Sequence, residues 1–514
     1  MRLSAAALLA IALSTPAAAD TIEVRTRYGS VSGAESQGLR VFKGIPYATP
    51  PTGELRWKRP LPPQPWTGIR QATEFAASCV QPGRLQPQSE DCLYLNIWSR
   101  PAALHAPVMV WIHGGGYLAG SGSLALYDGS ALARLGAVVV TLNYRLGVLG
   151  FLAAPQLSRE SPEHVSGNYG LLDQIAALQW VRENIAAFGG DPRNVTIFGE
   201  SAGAGSVSCL LFSPLAKGLF HRAIAQSGAL DDQLRDLRNP RGGIESAEHQ
   251  GAEASRLLGC SGAKTLDCMR EMNERLLLKM LPPSISCLEC TERNTFGPVM
   301  DGYVIPGQPY ELLRSGKLIP AAVLTGTNRG EGTIVIGLRP VPDVAGYRAW
   351  MAARFKDQAS KVLESYPAAS DDAVRGALRD VYTDSWYLCP SRSLAAAEKT
   401  AYLYQFTRVR PGTEMRTAHG AELPYVFDTL KTAFGPVEEV DRSLAGVMSA
   451  AWYRFAATGD PNGEGLPDWP RYERQSEVNL EFGATVQGNR GLHASQCEMW
   501  SFTGHTSGIP GGTF

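Results

Sequence analysis

Short unbroken apolar runs, each followed by a change of pattern, set the strongest limit on how this chain folds. Val108-Met109-Val110-Trp111-Ile112, Val138-Val139-Val140-Thr141-Leu142, Val195-Thr196-Ile197-Phe198, Ala322-Val323-Leu324-Thr325 and Tyr402-Leu403-Tyr404-Gln405-Phe406 suit strands buried on both faces. Between the second and third runs, Leu171, Ile175, Leu178, Val181 and Ile185 recur at three- and four-residue steps, which predicts a helix with one apolar face. Gly189-Gly190 stops that helix and Asp191-Pro192 prevents its resumption. Strand, helix and strand in alternation mean parallel pairing through crossover helices. The expected class is α/β, with a large, mostly parallel central sheet flanked by helices.

Other stretches read differently. Dense Pro and Gly from Pro46 to Pro65 predict extended surface chain rather than helix. From Asp231 to Leu288 and from Val341 to Val381 the sequence turns polar and helix-favouring, which predicts helical cap excursions above the sheet. Arg2, the apolar run Ala5 to Leu13 and the small residues Ala17-Ala18-Ala19 before Asp20 read as a signal peptide, residues 1–19. That run is too short for a membrane anchor, which needs about twenty apolar residues. The expected organisation is therefore a single domain over 20–514, exported to the periplasm or the medium after cleavage near Ala19. A formal net charge of -1 leaves no basic footprint for nucleic acid or anionic membrane.

Nine cysteines fit an oxidising compartment, and an odd number leaves at least one unpaired. Cys209 is the candidate, in an apolar helical stretch where a free thiol packs as a small hydrophobe. Cys287 and Cys290 form a C-x-x-C pair. Zinc would want two further ligands at matched spacing, and neither a second such pair nor a nearby His supplies them. A small local disulfide is the expectation, with no metal.

Gly199-Glu200-Ser201-Ala202-Gly203 follows directly on the third run and opens a small-residue helix. G-x-S-x-G alone is common. Between strand and helix it is the setting of a nucleophilic serine on a strained turn, lifted above the sheet at a helix N-terminus. His113-Gly114-Gly115-Gly116 follows the first run, where backbone N–H groups of Gly115 and Gly116 would join that of Ala202 in an oxyanion hole. A phosphate-binding loop would want Lys-Ser/Thr next, and Tyr117-Leu118 follows instead.

With these motifs the chain resembles the type-B carboxylesterases of the α/β-hydrolase superfamily, which include cholinesterases and bacterial para-nitrobenzyl esterases. The likeness covers nearly all of it. Phe42-Lys43-Gly44-Ile45-Pro46-Tyr47-Ala48, Glu90-Asp91-Cys92-Leu93-Tyr94-Leu95-Asn96-Ile97, Asn143-Tyr144-Arg145, Asn168 to Gln174 and Gln226-Ser227-Gly228 carry it in order. The resemblance implies Glu331, in Gly326 to Gly332, as the acid of a triad and His419, in Ala418 to Pro424, as its base. Ser, Glu, His is the order this class of hydrolase uses. It further implies that Glu200 and Ser227 lie close behind the triad, and that Cys79 pairs with Cys92, Cys260 with Cys268 and Cys389 with Cys497. Arg56 with Glu90 and Arg145 with Asp173 would be structural ion pairs.

The implied reaction is hydrolysis of a small-molecule carboxylic ester through an acyl-serine, with no metal or organic cofactor. Departures bear on substrate. Cholinesterases rest the choline cation on a tryptophan of the first disulfide loop, and residues 80–91 hold no aromatic side chain. Polar residues around Glu292 and Asn294, beside Phe296, stand where those enzymes keep acyl-pocket aromatics. The expectation is broad specificity for short to medium acyl or aryl esters and not for choline esters. A lipase or amidase on the same scaffold, or a binding protein without catalysis, are the competing readings.

Overall fold

Alternate residues of the central runs face opposite layers, and both layers are apolar. In the computed structural model, which describes residues 21–228, 234–241, 244–281, 296–337, 341–413 and 417–502, one mixed sheet carries the chain. The expected leader (1–19), Cys287, Cys290, Glu292 and Asn294 lie outside the described residues. We number the strands of the continuous sheet β1 (Thr21–Arg25), β2 (Ser30–Ser36), β3 (Leu39–Pro46), β4 (Tyr94–Ser99), β5 (Ala106–Ile112), β6 (Val138–Leu142), β7 (Gly190–Glu200), β8 (Arg222–Gln226), β9 (Ala322–Asn328), β10 (Ala401–Phe406), β11 (Val478–Phe482) and β12 (Val486–Arg490). They lie side by side as β1-β2-β3-β4-β6-β5-β7-β8-β9-β10-β11-β12. From β6 to β11 every neighbouring pair is parallel. The margins are antiparallel.

On one face Val108, Val110, Ile112, Val138, Val140 and Ile197 pack with Leu171, Ile175, Leu178 and Val181 of the helix Tyr169–Asn184. On the other, Met109, Trp111, Val139, Phe198, Ile224 and Tyr404 pack with Met448, Trp452 and Phe455 of the helix Glu439–Thr458. Such burial on both sides is why the central strands read as unbroken apolar runs. A separate apolar cluster lies within the second excursion, where Tyr347, Met351, Val374, Leu378 and Tyr382 meet Met499 and Trp500 of the C-terminal helix Ala494–Phe502.

The stretch from Pro46 to Pro65 holds no α-helix, as its composition indicates. It is anchored rather than superficial: Tyr47, Ala48, Arg56 and Trp57 are buried, and the Trp57 indole donates to the Val148 carbonyl at 2.8 Å. Aromatic side chains among the prolines supply the burial that punctuation alone does not reveal. Arg56 is held by Glu90, and Arg145 is clamped at 2.8 and 2.7 Å by Asp173, a pair shut away from solvent.

Disulfides join Cys79 to Cys92, Cys260 to Cys268 and Cys389 to Cys497, while Cys209 is buried and outside these disulfides. The last bond spans 108 residues and ties the helix Cys389–Ala397 to the C-terminal helix. In the chain-entropy model a loop of that length adds about 4–5 kcal/mol by restricting the unfolded chain. Replacing Cys389 and Cys497 together by Ala is expected to lower the urea midpoint by a corresponding amount with little change in slope. Denaturation curves of the two proteins check this. Among the described residues no helix is long and apolar enough to cross a membrane, and no cluster of His, Cys, Asp and Glu suits a metal.

Candidate active site

Parallel strands deliver their carboxyl ends to one edge of the sheet, and ligand sites of α/β proteins gather there. β5 ends at Ile112, opposite Gly199 of β7, and runs on into His113 and the glycines. β7 ends at Glu200 and turns at once into the helix Ala202–Phe212. β9 ends at Asn328, three residues before Glu331.

Ser201 occupies that turn with φ 57° and ψ -125°, a region that costs a non-glycine residue on the order of 1–3 kcal/mol. Its N–H donates to the Gln226 carbonyl at 2.9 Å and its carbonyl accepts from Gly205, so the strain is held by backbone bonds on both sides. The glycines of the pentapeptide are required by close approach. A Cβ on Gly203 would stand 2.1 Å from the Ile112 carbonyl oxygen. On Gly114 it would stand 2.6 Å from the Glu200 carbonyl and 3.0 Å from Ser201 Cβ, so the glycine run lies directly against the serine turn. The N–H groups of Gly115 and Gly116, both at positive φ, donate to nothing among the described residues. Ala202 opens a helix, where N–H groups have no partner within the helix. These are the donors an oxyanion requires.

Glu331 is fully buried. Its Oε1 accepts from the Asn328 N–H at 2.6 Å, and its Oε2 lies 2.6 Å from His419 Nδ1. A carboxylate on Nδ1 places that nitrogen's proton between them and leaves Nε2 to work. Nε2 lies 3.2 Å from Glu200 Oε1, the residue next to Ser201. The Ser201 hydroxyl has no hydrogen-bond partner among the described residues, and the His419–Glu200 contact is an ion-pair approach rather than a hydrogen bond. Catalytic hydrogen bonds of free enzymes commonly tighten only when substrate arrives.

Behind this pair lies a third buried carboxyl, Glu422, which accepts from Gln226 Nε2 at 3.0 Å and Asn328 Nδ2 at 2.6 Å. Asn328 Nδ2 also reaches the Ala418 carbonyl at 2.9 Å, and Gln226 accepts from the Trp452 indole at 3.0 Å. Asn328, Glu422 and Gln226 fall inside the sequence blocks that carry the resemblance, but their side chains gave no separate signal. Ser227 is buried at φ 54°, its N–H donating to Gly326 and its Oγ without a partner among the described residues.

Burial raises the Glu200 and Glu422 carboxyls above the usual range, with the His419 charge opposing it at both. Burial works against a charged His419, yet the surrounding Glu200, Glu331 and Glu422 carboxylates hold its imidazole above an ordinary histidine. His113 behaves oppositely: burial pushes it down to about 4, and its Nδ1 meets the Gly114 carbonyl at 2.9 Å. It stays neutral and braces the glycine run.

Removing the Glu200 charge in Glu200→Gln takes away an anion that favours the imidazolium. The low-pH limb of kcat/KM is expected to move to lower pH, by about one unit for an opposite charge at this range. The pH–rate profile of the variant reads the shift directly.

A cavity of about 290 Å3 lies away from this cluster, lined by Trp57, Leu157, Tyr169 and Tyr303. No histidine is among its lining residues, so chemistry rather than size points to the cluster around Ser201.

Known proteins place the chain in context. The model of the carboxylesterase family matches residues 20–500. Fumonisin B1 esterase of Sphingopyxis macrogoltabida is 41% identical over 510 residues, covering 94% of this chain and 91% of the relative. Para-nitrobenzyl esterase of Bacillus subtilis is 37% identical, covering 89% and 94%. A solved para-nitrobenzyl esterase structure superposes with a TM-score of 0.81 at 35% identity, over 93% of this chain and 99% of that one.

Proposed function

The chain belongs to the carboxylesterase family, and we propose that Ser201, His419 and Glu331 are the triad with which it hydrolyses carboxylic esters. The protein is a serine-dependent carboxylic ester hydrolase acting on small-molecule esters. The observation that carries the assignment of residues is the buried Glu331 carboxylate 2.6 Å from His419 Nδ1, with the other imidazole nitrogen 3.2 Å from Glu200, the residue before Ser201.

On substrate binding, His419 Nε2 exchanges Glu200 for the Ser201 hydroxyl and takes its proton as Oγ attacks the ester carbon. Glu331 keeps the imidazole in the required tautomer and stabilises the cation. The carbonyl oxygen becomes an oxyanion held by the N–H groups of Gly115, Gly116 and Ala202, each worth ~3 kcal/mol in the transition state. His419 returns the proton to the leaving alkoxide, which departs as the alcohol. Water, deprotonated by His419, then attacks the acyl-serine; collapse releases the acid and restores the Ser201 hydroxyl.

The Cys79–Cys92 loop offers no aromatic face to a quaternary ammonium, which supports acyl or aryl esters over choline esters. Export by a signal peptide ending near Ala19, leaving one domain over 20–514, fits the disulfides among the described residues. A series of para-nitrophenyl esters of rising acyl length, run beside acetylthiocholine, tests the reading. Turnover is expected on the short and medium esters, to stop after stoichiometric labelling by a fluorophosphonate, with none on the choline ester. Failure on every short ester, or turnover that survives full labelling, would overturn it.

A further inference from the structure

We propose that Tyr387 is a positioning residue for His419, presented by a wide turn that braces both the acid and the base. The proposal rests on the triad reading above. The Tyr387 and His419 ring centroids are 4.9 Å apart with planes at 49°. Tyr387 is partly buried, so its ring covers the imidazole while one part meets solvent.

The turn is unusual. Residues Asp384–Leu388 form a π-helical turn between the helices Asp371–Thr383 and Cys389–Ala397. Such turns are less favourable than α-helix and persist where side chains fix them, often beside functional sites. Here the anchors are the buried Asp384, Ser385, Tyr366 and Trp500, with the exposed His493. Asp384 accepts from the Tyr366 hydroxyl at 2.8 Å and meets His493 Nδ1 at 2.8 and 2.9 Å. The Trp500 indole donates to the same Tyr366 hydroxyl at 2.8 Å, and the Ser385 hydroxyl donates to the Val381 carbonyl at 2.7 Å. The Cys389–Cys497 bond fastens the next residue after the turn.

The same segment grips the acid. Thr383 Oγ1 accepts from the Gly332 N–H at 3.0 Å, next to Glu331. A Cβ on Gly332 would stand 2.3 Å from the Arg379 carbonyl, so the Glu331 loop lies flat on the helix backbone. One rigid piece therefore touches the residue after the acid and the ring of the base. His419 must carry Nε2 from Glu200 to the Ser201 hydroxyl while Nδ1 stays on Glu331. The Tyr387 ring limits that movement to rotation within the site and blocks tilting toward solvent. Geometry is where the rate is sensitive: a displacement of about 1 Å costs on the order of a hundredfold.

The test uses the full chain as Tyr387→Leu, Tyr387→Phe and, should the leucine variant fold poorly, Tyr387→Met. Each is assayed for kcat and KM on a para-nitrophenyl ester, for the rate of fluorophosphonate labelling at Ser201, and for thermal midpoint. Tyr387→Leu or Tyr387→Met is expected to lower kcat and the labelling rate together, by about ten- to a hundredfold, with KM within about twofold. Tyr387→Phe, which keeps the ring, is expected to restore most of the wild-type rate. Wild-type kcat in the leucine or methionine variant, or a change confined to KM, would overturn the proposal. So would a phenylalanine variant as slow as leucine. A wild-type protein not labelled at Ser201, or a His419→Gln variant as active as wild type, would instead remove the triad reading and the proposal with it.

Discussion

Ser201→Ala is expected to lower kcat on a short para-nitrophenyl ester by about 10⁶-fold while the protein keeps its fold. In the proposed mechanism the hydroxyl is the atom that becomes covalently bonded to the acyl group, and nothing beside it replaces that role. The neighbouring Glu200 carboxyl is turned to His419, and His113 is neutral and engaged with Gly114. Binding and the oxyanion donors survive the change, so a residual rate above water, on the order of 10³-fold, is expected to persist. Because the triad acts as a unit, adding His419→Gln to Ser201→Ala should cost almost nothing more. Additive losses in the double variant would mean that the two residues do not share one step.

Glu331→Gln is the second large effect, expected at about 10⁴-fold in kcat. The side chain is fully buried, with Asn328 N–H on one oxygen and His419 Nδ1 on the other. An amide of the same shape can accept from only one of the two. It therefore either abandons the Asn328 N–H or presents its NH2 to Nδ1, which selects the tautomer with the proton on Nε2. That tautomer cannot take a proton from serine. The stability change should be modest by comparison, since the cavity volume is unchanged. A kcat within tenfold of wild type, with normal thermal stability, would remove Glu331 from the acid position.

Much of this arrangement was legible in the residues, for a physical reason. Strands β5, β6, β7, β9 and β10 are buried on both faces, so they stand out as unbroken apolar runs, and Val138–Leu142 has the bounds read from the chain. The antiparallel margins were not, because strands such as Val486–Arg490 are partly exposed and polar. The serine turn and glycine run announce themselves because close approach there excludes side chains other than hydrogen. Glu422, Asn328 and Gln226 do not, since a buried carboxyl or amide looks like a surface one until its partners are in place. Tyr387 is further from reach still. Its role depends on a π-turn set by Asp384, by Tyr366 eighteen residues earlier and by His493 more than a hundred residues later.

The account rests on an acyl group passing through one hydroxyl, and rapid quench in acid followed by peptide mapping tests this most directly. With a slowly deacylated para-nitrophenyl ester, a burst of one nitrophenolate per chain is predicted, with the acyl group recovered on the peptide that carries Ser201. Acylation at another residue, or full turnover with no burst and no acyl-peptide, would contradict it.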